Sequence, residues 1–255
     1  GMCGQTYDAE LLLADPLTGD VIWRRAVPWL ANADMGVVAA TDGMLVAVGG
    51  VAVSLADGSP VWQRRSPDGR PEWLVDDLLL EQIDIDGRVD TVAVDAATGV
   101  TRWRYQGTPL YGMDGRSQPT GFAPGLVFMT DWPEANRVVA VDASDGSVRW
   151  SYDAPAEPYL LFADGALLVH SWGVALERLD PLTGDVVWTY PYEDAGEVLM
   201  TNVVPHDGRL FVPLTPDPAA GSPDPPVPIE WLDLDAATGA VVQEGTVWED
   251  FSSAV

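Results

Sequence analysis

Apolar residues fall along this chain in short runs, each cut off by a turn signal. Between Trp150 and Trp188 the runs read "PYLLFADG", "ALLVHSW", "VALERLDPLTG" and "DVVWTY", separated by Asp-Gly, Trp-Gly and Thr-Gly. The stretch around Trp62 divides the same way, into "MGVVAATDG", "MLVAVGG", "VAVSLADG" and "SPVWQRR". Runs of this length, rich in β-branched and aromatic residues and bounded by Gly and Asp, predict strands joined by tight turns. Helical periodicity is absent throughout, so the pattern predicts an all-β chain.

The runs recur in register. "DPLTGDVIW" (Asp15 to Trp23) returns as "DPLTGDVVW" (Asp180 to Trp188), and four looser copies accompany them. These are Ser54 to Trp62, Asp95 to Trp103, Asp142 to Trp150, and Asp235 to Gln243, where Gln replaces the final Trp. The final positions are spaced 39, 41, 47, 38 and 55 residues apart. Four strands per period of roughly 40 to 50 residues is the signature of a propeller blade.

Each letter of the motif has a physical reason. Asp at the end of a third strand can accept hydrogen bonds from turn amides, and Thr can do so through its hydroxyl. Gly supplies the positive φ that a tight hairpin requires. The Trp four positions on lies in the fourth strand, where an indole can pack across to the neighbouring blade. Truncating such a buried Trp is expected to cost about 3–5 kcal/mol. Sheets stacked this way depend on their neighbours, as repeat architectures do.

The string Ala-x-Asp-x-x-Thr-Gly-x-x-x-Trp, intact as "AVDAATGVTRW" (Ala93 to Trp103) and nearly so as "AVDASDGSVRW" (Ala140 to Trp150), resembles the tryptophan-docking repeat of PQQ-like β-propellers. That family includes quinoprotein alcohol dehydrogenases and the BamB-type outer-membrane assembly scaffold. The resemblance covers nearly the whole chain and implies one propeller domain over residues 1–255, built of four-stranded antiparallel blades. Six motifs predict six blades, closed by joining the N- and C-terminal strands. "TVWEDFSSAV" would then supply the first strand of the blade that Met2 to Trp23 begins. The alternative is part of a seven- or eight-bladed propeller.

The resemblance does not bring its cofactor with it. Quinoproteins of this kind usually have eight blades, hold calcium beside the quinone and often carry a disulfide of adjacent cysteines. This chain has six motifs and one cysteine, Cys3. No PQQ or other cofactor is therefore expected. His170 in "ALLVHSW" and His206 in "VPHDG" are the only near-neutral bases, and each reads as structural. No nucleophile elbow, His-Glu-x-x-His or phosphate-cradling loop occurs. "DIDGRVD" (Asp84, Asp86, Asp90) shares part of a calcium-loop pattern, but an Asp-Gly hairpin explains it without metal. A channel metal site using acidic residues and Asn202 is the enzymatic alternative, in the manner of a metal-dependent hydrolase or lactonase.

Charge narrows the partners. The chain holds 39 acidic and 13 basic side chains, for a net charge of -26, and every basic residue is Arg. Such a surface repels phosphate backbones, so nucleic acid is not an expected partner. No apolar run is long enough to span a membrane. The motif turns are uniform and read as structural, whereas other links vary in length. These are "YGMDGRSQPTGFAPG" (Tyr111 to Gly125), taken as a blade-to-blade link, "DWPEANR" (Asp131 to Arg137), and the proline-rich Leu214 to Pro228. Variable loops on a rigid scaffold are where binding resides. A face containing Tyr111, Arg116, Trp132 and Glu134 is thus expected to hold a protein or peptide partner. The function expected is a non-enzymatic interaction or ligand-sensing scaffold, extracytoplasmic by family resemblance. A sensor domain of a larger receptor or kinase is a further alternative.

Overall fold

The computed structural model describes residues 10–26, 37–41, 43–47, 51–64, 69–75, 77–85, 88–109, 123, 125–131, 135–163, 165–192, 203–214 and 229–247. They form β-strands and turns, with no helix among them. The first sheet pairs β1 (Glu10–Ala14) with β2 (Val21–Ala26). The second holds β3 (Val37–Thr41), β4 (Met44–Ala47), β5 (Val51–Ser54) and β6 (Pro60–Gln63). The third comprises β7 (Gly69–Val75), β8 (Leu78–Ile85), β9 (Arg88–Asp95) and β10 (Thr101–Gln106). In the fourth are β11 (Thr108–Pro109), β12 (Leu126–Thr130), β13 (Arg137–Asp142) and β14 (Val148–Asp153). The fifth contains β15 (Pro158–Ala163), β16 (Ala166–Ser171), β17 (Ala175–Leu179) and β18 (Val186–Pro191). The sixth is built from β19 (Val204–His206), β20 (Arg209–Leu214), β21 (Ile229–Asp235) and β22 (Val241–Val247). Sheets two to six are antiparallel four-stranded meanders in chain order, as the runs predict. Of the tail "TVWEDFSSAV" that was expected to complete the first sheet, Thr246 and Val247 instead end β22, opposite Glu230 and Ile229, and the rest, from Trp248 onward, lies outside the described residues.

The chain divides into two compact units: Gly1–Gly107 with Ala143–Gly146, and Thr108–Asp142 with Ser147–Val255. In both, the motif turns are built as their letters require. Asp180 Oδ1 accepts the amides of Leu182 (2.8 Å) and Thr183 (3.1 Å), and the Gly184 amide donates to the Asp180 carbonyl at 2.8 Å. Ser54 keeps this geometry in the degenerate copy, its hydroxyl accepting the Ala56 amide at 3.1 Å.

The indoles dock sheet to sheet. Trp23 Nε1 donates to the Leu55 carbonyl (2.8 Å), Trp62 to Ala96 (2.9 Å) and Trp103 to Ala143 (2.8 Å) in the first unit. In the second, Trp150 donates to Pro181 (3.0 Å) and Trp188 to Ala236 (3.1 Å). The acceptor is always the residue after the motif Asp or Ser of the following repeat. The motif Gly of that repeat lies under the ring: a Cβ on Gly184 would sit 2.6 Å from Trp150 Cε3, and φ there is +76°. This position is therefore Gly for two reasons, backbone hand and close approach.

A bulge aims each of these residues. In all six sheets the third-to-fourth-strand register slips at the residue before the Trp position. Leu13 pairs with Trp23 and Ala14 with Val21, leaving Ile22 unpaired, and Arg102, Arg149, Val187, Val242 and Val61 are skipped likewise. A bulge adds one residue and local twist, which fixes the three-residue gap between Gly and Trp. The skipped side chains turn outward: Ile22 is 58% exposed, and Arg102 and Arg149 fold back to pair with their own motif carboxylates, Asp95 and Asp142.

Between the sheets lies the core. Trp150, Phe128, Phe162, Leu167 and Val169 pack the fourth sheet on the fifth, and Leu168, Trp188, Leu210, Val212 and Leu232 pack the fifth on the sixth. With both faces covered, β16 is buried at all six positions, which is why Ala166–Val169 reads as a continuous apolar run rather than an alternation, and why His170 and Ser171 after it are buried too.

Candidate interaction face

In a meander the second-to-third-strand links leave the sheet at the end opposite the third-to-fourth turns. In the second unit this end carries residues 132–134, the Trp172–Val174 turn and residues 215–228. Tyr111, Arg116, Trp132 and Glu134 all lie outside the described residues, as does Asn202. The segment holding Tyr111 and Arg116 is placed differently from the sequence expectation. β11 precedes it and pairs Thr108 with Thr130 and Pro109 with Met129, so residues 110–122 link the first to the second strand of one sheet rather than one blade to the next, and the chain enters that link at the motif-turn end of the sheet, opposite the end from which the Trp132–Glu134 link leaves. The sequence gives no sign of so short a strand, because two residues carry no periodicity.

The base of the Trp132–Glu134 link is well fixed. The Asp131 amide donates to the Arg137 carbonyl and the Ala135 amide to the Asp131 carbonyl, both at 3.0 Å. Arg137 Nε donates to Asp153 Oδ1 at 3.0 Å, and its guanidinium reaches Asp131 at 3.7 Å. A rigid base beneath a short link is what presents an anchor residue without a large ordering cost.

Beside it lies a polar and aromatic group that sequence reading passed over. Glu177 on β17 is buried and accepts the Tyr152 hydroxyl at 2.8 Å, with Ser171 Oγ at 3.4 Å and Thr189 Oγ1 at 3.5 Å. Burial, then the Glu177 contact, holds the Tyr152 phenol well above its ordinary range. His170 is 1% exposed and ringed by Tyr159, Trp172 and Tyr192, with centroids 6.0, 6.1 and 5.5 Å away. Neither ring nitrogen meets a hydrogen-bond partner among the described residues. Burial alone pulls its pKa down to about 4, so the ring is neutral at pH 7.

A signal for part of this group was present in the sequence. Two residues beyond each motif Trp stand Arg25, Arg64, Tyr105, Tyr152 and Tyr190. Arg25 donates to the Asp57 carbonyl (3.3 Å), Arg64 to the Gly99 carbonyl (3.2 Å) with its guanidinium 3.4 Å from buried Glu81, and Tyr152 to Glu177. The position is a second reach to the next sheet. The sixth repeat has Gly245 there, and the Trp231 indole lies over it: a Cβ on Gly245 would meet the ring at 2.6 Å. Phe211 stacks on Trp231 with centroids 5.5 Å apart. Bordering this pair is a cleft of about 420 Å³ lined by Leu214, Glu230, Trp231, Leu232, Glu244, Gly245 and Thr246.

"DIDGRVD" is a hairpin: Ile85 pairs with Arg88 across its turn, and Asp90 is held by Arg104 Nε at 2.6 Å. Among the described residues no three His, Cys, Asp or Glu side chains converge as a metal site.

Four-stranded antiparallel sheets joined by Asp-x-x-Thr-Gly turns and indole docks define a PQQ-like repeat β-propeller. Residues 7–120 and 85–254 match the family model described as outer membrane protein assembly factor BamB, and the chain belongs to that family. Its fold is similar to that of BamB from Moraxella catarrhalis (TM-score 0.56, 15% identity, 89% of this chain and 65% of that one). Similar too are a europium-containing methanol dehydrogenase (0.58, 14%, 93% and 68%) and the quinohemoprotein alcohol dehydrogenase of Comamonas testosteroni (0.57, 13%, 93% and 58%). The chain thus spans just under two thirds of the BamB structure's length. No curated protein matches it. No helix among the described residues is long and apolar enough to cross a membrane.

Proposed function

We propose that this chain is a non-enzymatic propeller scaffold that holds a protein partner in an extracytoplasmic compartment. The match of nearly the whole chain to the BamB family model carries the reading, since that family is described by its part in an assembly. The atoms of the repeat support it: motif Asp, Thr, Gly and Trp side chains are spent on turns and docks, which leaves the links between strands for recognition. Residues 1–255 act as one domain, and the partner is held by the link that carries Trp132 and Glu134; Tyr111 and Arg116, on a link that leaves the sheet at its other end, are not part of that face. Trp132 is the anchor, because aromatic residues dominate hot spots, and its link rises from the fixed Asp131–Arg137–Asp153 base.

Affinity capture with Trp132→Ala/Glu134→Ala tests this. Partner capture should be lost while the melting temperature is unchanged; retained capture, or loss of folding, would overturn it. Metal analysis of the purified protein separates the scaffold from a metal-assisted hydrolase, which requires a stoichiometric divalent ion.

A further inference from the structure

In the sixth sheet, Leu214, Glu230 and Thr246 are directly opposite one another across β20, β21 and β22, and Val212, Leu232 and Glu244 form the next row. Side chains two apart on a strand share a face, so Glu230 and Glu244 are diagonal neighbours on one face, with β-carbons roughly 7 Å apart. Both carboxylates are exposed, while Leu232 is buried between them. They line the 420 Å³ cleft with the Thr246 hydroxyl and Leu214. Trp231, wedged between Phe211 and Gly245, makes its border rigid.

Among the described residues this pair has no counter-charge. Neither glutamate has an ion-pair or hydrogen-bond partner among the described residues. Every described arginine of the second unit is committed elsewhere: Arg137 to Asp131 and Asp153, Arg149 to Asp142, Arg178 to the Ala236 carbonyl, and Arg209 to Asp233. After Arg209 the sequence contains no further Lys or Arg, so the 215–228 link and the tail bring none. Four other carboxylates of this unit, Asp142, Asp153, Glu177 and Asp233, are matched by Arg or Tyr donors. Tyr190 adds an aromatic surface: it packs with Leu214 against the same core, and Glu244 is close enough to act on its phenol. Two carboxylates, a hydroxyl, an apolar floor and a neighbouring phenol suit a cation carried on an aliphatic stem.

We propose that this cleft receives a lysine or arginine side chain presented by a protein partner. The proposal rests on the scaffold reading and names the partner's chemistry at one contact. The stem lies on Leu214 and Leu232, the charged head bridges Glu230 and Glu244, and Thr246 accepts a further N–H. Arginine fits best, because its fork can engage both carboxylates at once.

The probe is a fluorescein-labelled Gly-Arg-Gly-Arg-Gly peptide, read by anisotropy in 0.15 M NaCl. Glu230→Gln/Glu244→Gln should weaken binding at least ten-fold. Asp20→Asn/Asp185→Asn, which removes the same charge at exposed turns, should weaken it less than two-fold. Equal weakening by the two pairs would show diffuse attraction to an acidic surface and overturn the proposal, as would no weakening by the first pair. Displacement of the peptide by micromolar calcium chloride would assign the cleft to a metal ion and overturn it as well. If the glutamate pair proves silent while Trp132→Ala/Glu134→Ala still abolishes partner capture, the cleft assignment fails and the scaffold reading stands.

Discussion

His170 shows how a single residue's meaning changes with its surroundings. In the sequence it is one of two histidines in an apolar run; in the fold its ring is enclosed by Tyr159, Trp172 and Tyr192, with no protein partner for either nitrogen among the described residues. Burial lowers its pKa from the ordinary 6.5 to about 4. The folded state thus binds a proton less readily than the unfolded chain. Its contribution to stability is complete above pH 6.5 and is lost as pH falls toward 4. His170→Gln, which places there the residue found at the same position of β8, Gln82, should remove this dependence. Between pH 7 and 4 the unfolding free energies of the two proteins should shift relative to each other by on the order of 3 kcal/mol in favour of the variant. Parallel denaturation curves across that range would show that His170 does not titrate as its burial dictates. The glycines teach a related lesson. Gly184 and Gly19 occupy the same motif position, yet a Cβ at Gly184 would strike Trp150 whereas one at Gly19 meets nothing described within 4 Å. The letter is legible in the sequence, but the close approach is not.

At the scale of the strand, the fourth strands do most to join one sheet to the next. Each carries a bulge and a docking Trp, and two residues on Arg25, Arg64, Tyr152 and Tyr190 reach the next sheet, until Gln243 and Gly245 stand at the two places in β22. Arg64 is the sharpest case. Its guanidinium lies 3.4 Å from Glu81, which is fully buried in β8 and whose pKa burial raises against the opposing pull of Arg64. Arg64→Met should destabilise the fold by about 3 kcal/mol, toward the low end for a buried pair because Arg64 keeps contact with solvent. Adding Glu81→Leu should recover most of that loss, since the cost is an uncompensated buried carboxylate rather than a missing bond. A double mutant as unstable as the single one, measured by urea unfolding, would contradict this account. Repeated Arg and Tyr at this position can be seen in the sequence once the Trp register is known. The partner cannot, because Glu81 is seventeen residues away in "LLLEQID" and reads there as one polar letter in a strand.

For the whole molecule, a net charge of -26 means that carboxylates repel one another across the surface, offset locally by arginine pairs. Screening should therefore stabilise it: raising NaCl from 0.05 to 0.5 M should lift the melting temperature by several degrees, read by scanning fluorimetry. A fall would mean that the arginine pairs outweigh the repulsion. By itself the sequence determined the repeat, the all-β class, the turns and the docking Trp, because these depend on contacts within a period or on a letter that recurs at a fixed place. It could not determine the bulge that aims each Trp, the buried Glu81 and Glu177, or the short β11 that turns residues 110–122 into a link within one sheet. Nor could it bring Glu230 and Glu244 onto one face of a cleft with no arginine among the described residues to match them. Those features arise where strands distant in sequence meet, and a pairing register that sets which side chains share a face exists only once the sheet has formed.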